Sequence, residues 1–117
     1  MSVTVFLAKA IICFSGQCYP VLVGDNTPTG EFQLQKLYVA HPGYGGDVLK
    51  FDEDDKMIYA THRVWTQRPS ERRPERLASP DVKQRIGVTN GCINLTPAVY
   101  TKLMNCCSKD KVTIVKE

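Results

Sequence analysis

Apolar and polar residues alternate from the start of the chain: Val3, Val5 and Leu7 are interleaved with Thr4, Phe6 and Ala8, and the apolar set runs on through Ile11 and Ile12. Period two predicts a half-buried strand. Phe14-Ser15-Gly16-Gln17 then forms a short polar loop and residues 19–23 resume the apolar run, which predicts a hairpin whose arms carry Cys13 and Cys18. Thr27-Pro28-Thr29-Gly30 is turn chemistry, because proline presets one dihedral and glycine accepts positive φ. It leads into the alternating Phe32 and Leu34 of a second strand pair. The glycine-rich stretch 41–46 predicts a surface loop. Residues 48–51 predict a short strand, and the acidic run 52–55 a solvated turn, since it lacks the glycine and distal glutamate of a calcium loop. Residues 57–61 predict a strand that delivers His62 at its end.

Downstream the pattern changes. Residues 63–76 hold five arginines, two glutamates and prolines at 69 and 74, which predicts a long exposed loop. Thr96-Pro97 is a helix start, threonine capping and proline at the first position, with Val99, Leu103 and Cys106 or Cys107 on one face. Residues 111–116 alternate again and close the chain with a strand. The expected fold class is mainly β with one or two short helices.

The length of 117 residues predicts a single domain over 1–117. Fifteen basic against 12 acidic residues leave a net charge of +3, too small a surplus to make nucleic acid the leading partner. Thr4, Lys9 and Ser15 interrupt the N-terminal apolar run well short of the roughly 18 residues of a membrane helix, so no membrane span is expected. The same run lacks a basic leader segment and a small-residue cleavage site, so no signal peptide is read in it, and export by a leaderless route is one expectation. Five cysteines, at 13, 18, 92, 106 and 107, leave at least one thiol outside any internal disulfide set. Cys13 and Cys18 are as compatible with a disulfide as with two reduced strand residues, and Cys106 and Cys107 read as packing residues, so three or five free thiols are expected. No paired C-x-x-C spacing supports zinc, and no phosphate-loop or dinucleotide motif occurs, so no metal or cofactor is expected.

Candidate chemistry gathers in three places: His62 at a strand end, Thr89-Asn90-Gly91-Cys92-Ile93-Asn94 before the helix, and the arginine-rich segment joining them. A thiol becomes nucleophilic where a neighbouring base favours the thiolate. Gly91, with no side chain, lets the backbone turn sharply and aim N–H groups at a developing oxyanion, the arrangement acyl transfer needs. The competing reading is that Cys92 is a small buried hydrophobe. The order histidine, then cysteine disfavours papain-like hydrolases, which place cysteine first.

The chain resembles the YkuD-type L,D-transpeptidases of bacterial cell-wall metabolism. The resemblance rests on Gly24-Asp25-Asn26-Thr27-Pro28-Thr29-Gly30-Glu31-Phe32, then His62-Arg63-Val64, then Thr89-Asn90-Gly91-Cys92-Ile93-Asn94-Leu95, in the family's order and over nearly the whole chain. It also resembles a subgroup with an arginine-rich insertion between histidine and cysteine. Many members carry Ser-His-Gly-Cys and an arginine two residues after the cysteine, where this chain has Asn90 and Asn94. The resemblance implies a mixed β-sandwich, Cys92 as nucleophile, His62 as base, and backbone N–H groups near Asn90, Gly91 and Cys92 as oxyanion donors. Beside it, Tyr44 and Trp65 read equally as walls of a donor pocket and as ordinary packing, and Thr89 reads as a brace of the cysteine turn through a hydroxyl–backbone bond. Arg63, Thr89 and Asn94 complete the candidate substrate contacts, with Arg85 or the loop arginines replacing the missing arginine. The implied partner is the tetrapeptide stem of peptidoglycan, attacked in the periplasm or cell envelope through a thioester and passed to an amine or to water. Two alternatives stand beside this: a secreted antibacterial effector, with an immunity protein as a further partner, and a non-catalytic wall-binding module.

Overall fold

The computed structural model describes residues 2–117. The first alternating run makes two strands: β1 (Val3–Phe6) and β2 (Ile11–Phe14) pair antiparallel with Val5 opposite Ile12. The alternation does not mark this fold-back, because the period survives on both sides and residues 7–10 contain neither glycine nor proline. Ala10 itself takes the left-handed φ of 49°. β3 (Gln17–Pro20) completes the hairpin, with Ser15 and Gly16 both at positive φ in the two-residue turn. Cys13 lies opposite Cys18, and the two form a disulfide.

After the Thr27-Pro28-Thr29-Gly30 turn, β4 (Gly30–Gln33) and β5 (Gln35–Tyr38) belong to different sheets, and buried Leu34 marks the crossing. β6 (Asp47–Glu53) and β7 (Ile58–Arg63) flank the acidic turn. There the Asp54 carboxylate accepts the N–H groups of Lys56 at 2.8 Å and Met57 at 2.9 Å. β8 (Ile93–Leu95) follows the cysteine turn, and β9 (Lys111–Val115) ends the chain. The sheets run β3-β2-β1-β9-β4 and β5-β6-β7-β8. β1 with β9 and β7 with β8 are parallel, the remaining pairs antiparallel, so the architecture is a mixed β-sandwich.

Stretch 63–76 is not a loop throughout. A 3₁₀ turn at Pro69–Glu71 and helix α1 (Arg73–Ala78) occupy part of it. Both prolines that argue for a loop sit at the opening of these elements, where a missing N–H costs no internal hydrogen bond. Leu77 anchors α1 in the interior. Helix α2 (Pro97–Cys107) starts as its sequence predicts, the Thr96 hydroxyl accepting Val99 N–H at 3.2 Å, and buries Val99, Tyr100, Leu103 and Cys107. These join Val5, Ile12, Val112 and Ile114 of one sheet and Leu49, Phe51, Ile93 and Leu95 of the other in one core. Cys106 lies exposed and is bonded to Cys107, so this pair does more than pack. One cysteine, Cys92, is free, rather than three or five. Among the described residues no helix is long and apolar enough to cross a membrane.

Candidate active site

Parallel pairing of β7 with β8 sets His62 beside Asn94, two residues beyond Cys92. The turn before β8 is held from several sides. Thr27 donates its hydroxyl to the Gly91 carbonyl at 2.9 Å and accepts Gly24 N–H at 3.0 Å, so the proline turn docks beneath the cysteine. Thr89 accepts Gly91 N–H at 3.1 Å and donates to the Cys92 carbonyl at 2.6 Å. Gly91 has φ of +133°, and a Cβ there would run into the Tyr59 ring, so both conformation and space require glycine. Leu22 exchanges two 3.0 Å backbone bonds with Asn94, tying the connection after β3 to the same strand.

Cys92, Thr89 and Asn90 form one wall of a cleft of about 210 Å³. His62, Tyr44 and Trp65 form another; Arg68 and Glu71 come from the segment joining β7 to α1, and Arg73 from the first position of α1. Tyr44 meets His62 edge-on with centroids 4.8 Å apart and packs on Trp65 at 4.9 Å. Trp65 in turn lies so close over Gly43 that a Cβ at that position would clash with its ring. His62 is 2% exposed, and its Nδ1 lies 2.6 Å from the Arg63 carbonyl. A carbonyl only accepts, so Nδ1 carries the proton and Nε2 the lone pair.

Burial pushes the His62 pKa down to about 4, with the nearby Arg73 cation adding to the fall and the Arg63 carbonyl contact opposing it. Burial likewise pushes the Cys92 thiol up, against a hydrogen bond from Ala60 N–H and the charge of Arg73, which favour the thiolate. At neutral pH the resting pair is therefore thiol and neutral imidazole. Arg73 charge favours the Cys92 thiolate and opposes a His62 imidazolium.

Of the residues singled out by sequence, Cys92, His62, Asn90, Thr89, Tyr44 and Trp65 line the cleft, Gly91 shapes the turn, and Asn94 touches His62 Nε2 at 3.3 Å. Arg63 faces elsewhere. Its Nη1 bonds the Tyr44 carbonyl at 3.2 Å and the Asp47 carboxylate at 2.8 Å, and its guanidinium lies 4.4 Å over the Tyr100 ring, a brace that fixes the 41–46 loop. Arg85 is also not brought to the cleft. It is 4% exposed and directs its guanidinium at the carbonyls of Lys9, Ala10 and Ser79, holding the β1–β2 turn. Arg73 and Arg68 occupy the cleft instead. Sequence reasoning did not single out Thr27 or Arg73. Thr27 lay inside a string legible as a turn and as a landmark of the resemblance, with no role of its own, and nothing local separates Arg73 from four other arginines within 63–76.

No family model matches the chain, and no curated protein does. Solved structures do, and they define its class: the chain has the fold of L,D-transpeptidases. An L,D-transpeptidase from Mycobacterium smegmatis superposes with a TM-score of 0.64 at 14% identity, covering 97% of this chain and 58% of that one. An L,D-transpeptidase from Stackebrandtia nassauensis gives 0.61 at 17% identity, covering 99% and 55%. An LD transpeptidase solved in complex with imipenem gives 0.58 at 14% identity, covering 97% and 58%. The chain thus spans between half and three-fifths of the length of these neighbours.

Proposed function

We propose that the protein is a cysteine acyltransferase acting on peptidoglycan tetrapeptide stems. The observation that carries this reading is the placement of the one free cysteine and a buried histidine of fixed tautomer on a common cleft, within the L,D-transpeptidase fold. Cys92 transfers its proton to His62 Nε2 and attacks the carbonyl joining the L-centre of diaminopimelate to terminal D-alanine. The tetrahedral oxyanion collapses, His62 returns the proton to the leaving amine, D-alanine departs, and a thioester remains on Cys92. Because Gly91 N–H is already held by Thr89, the oxyanion role falls to the N–H groups of Asn90 and Cys92. His62 then activates the acceptor: a stem amine gives a 3→3 crosslink, a free D-amino acid gives exchange, and water gives carboxypeptidase action.

The test is mass analysis of muropeptides incubated with the protein. D-Alanine loss, exchange or new crosslinks are expected with the native chain and absent with Cys92→Ala; products that persist in the variant would overturn the reading. Sacculus binding without any product would favour a wall-binding module. Growth arrest on periplasmic, but not cytoplasmic, expression would favour an antibacterial effector using the same chemistry.

A further inference from the structure

The lone pair that should receive the thiol proton is already occupied. Asn94 Oδ1 accepts two hydrogen bonds, from Trp65 N–H at 3.1 Å and from Arg73 Nη1 at 3.0 Å. The other end of the amide is therefore the NH₂ group, and it meets His62 Nε2 at 3.3 Å. The Nδ1 contact with the Arg63 carbonyl requires the same tautomer independently, since it too leaves Nε2 as the acceptor. Cys92 Sγ meanwhile directs its hydrogen bond to the Ile58 carbonyl at 3.6 Å. Nucleophile and base line one cleft, yet each is bonded elsewhere. Asn94 is fully buried, so water does not compete for its amide.

Arg73 holds this arrangement from the cleft side. Its Nε pairs with Glu71 Oε1 at 3.1 Å while Nη1 reaches Asn94, and its side chain is 12% exposed. A charge-assisted bond is roughly twice as strong as a neutral one, so losing Arg73 would leave Asn94 Oδ1 on Trp65 N–H alone. A carboxylate is the ligand class that competes for a guanidinium in matched geometry.

We propose that Asn94, held by Arg73, caps His62 in the resting protein, and that a carboxylate entering the cleft draws Arg73 away and lifts the cap. This rests on the reading of Cys92 and His62 as a nucleophile and base. Once the amide swings aside, the S–H bond of Cys92 breaks, an N–H bond forms at His62 Nε2, and the imidazolium keeps its Nδ1–H on the Arg63 carbonyl. Arg73 and Asn94 are positioning residues in this scheme, acting through His62.

The experiment measures Cys92 alkylation by iodoacetamide at pH 7.5, with His62 observed by ¹⁵N NMR. A thiol pKa lowered by one unit gives about ten times more thiolate. Each thiolate is about threefold less nucleophilic, so the rate should rise at least about threefold. That rise is expected in Asn94→Ala, which removes the cap and keeps the Arg73 charge that favours the thiolate. It is also expected in the native chain with N-acetylglycine but not N-acetylglycinamide, and Arg73→Met should lose the response to the carboxylate. The native spectrum should show an Nδ1–H tautomer whose Nε2 accepts a hydrogen bond, an arm that needs no variant to fold. An Nε2–H tautomer, unchanged or slower alkylation in Asn94→Ala, or a native rate indifferent to N-acetylglycine would each overturn the cap. Alkylation requires no peptidoglycan turnover, so its failure leaves the proposed activity standing. Accelerated alkylation without muropeptide products would keep the cap and discard the substrate.

Discussion

The two sheets of the sandwich obey the same period-two pattern and put it to different uses. In the five-stranded sheet, Val3, Val5, Ile12, Val112 and Ile114 are buried, and its two cysteines, Cys13 and Cys18, are locked in a disulfide. In the four-stranded sheet the buried set includes Thr61, His62 and Asn94 on adjacent parallel strands, at positions an ordinary core would fill with valine or isoleucine. Polar groups this deep are tolerated where their hydrogen bonds are met, and His62 and Asn94 meet theirs with each other, the Arg63 carbonyl, Trp65 N–H and Arg73. One sheet is given over to packing; the other gives some of that up to hold a neutral histidine on the same cleft as a free thiol.

The sharpest way to break this division is Cys92→Ala, which should cost at least about a thousandfold in D-alanine release while leaving the urea midpoint nearly unchanged. A large stability loss would move Cys92 into the structural half. Ile12→Ala reverses the pattern. It should destabilise by about 2–5 kcal/mol in urea unfolding, with activity per folded molecule intact. Acid should expose the cost of the functional half. Unfolded His62 titrates near its ordinary value of 6.5 but near about 4 when folded, so on acidification the unfolded chain takes up the proton first. Stability is then lost as pH falls from 6.5 toward 4, by about 2 kcal/mol between pH 7.5 and 4.5. His62→Gln should lack that component, and an unaltered acid slope in the variant would assign it to other groups. The smallest effect tests the link between turn and cysteine. Thr27→Val removes one hydroxyl that bonds both Gly24 and Gly91, and should cost about 1–3 kcal/mol with some loss of rate.

Much of the five-stranded sheet and helix α2 was legible in the chain because alternation, the Ser15-Gly16 turn and the Thr96-Pro97 cap are local signals. The fold-back at residues 7–10 was not, since a turn without glycine or proline leaves the period undisturbed. The site divides in the same way. Cys92 and His62 could be found from a glycine before a cysteine and a histidine at a strand end. Arg73 could not, because what separates it from Arg63 and Arg85 is where α1 and the 3₁₀ turn fold back, a tertiary outcome. Arg85 illustrates the converse: an arginine of the right charge between histidine and cysteine, committed to the backbone carbonyls of Lys9 and Ala10 in the β1–β2 turn and of Ser79 after α1.

In the proposed reaction Cys92 carries an acyl group taken from a peptidoglycan stem. Intact-protein mass spectrometry after brief acid quench of the protein with a disaccharide tetrapeptide tests it most directly. The expected adduct equals the disaccharide tripeptide acyl group, maps to Cys92 and is absent from Cys92→Ala. D-Alanine release with no adduct under any quench time, or an adduct on another residue, would contradict it.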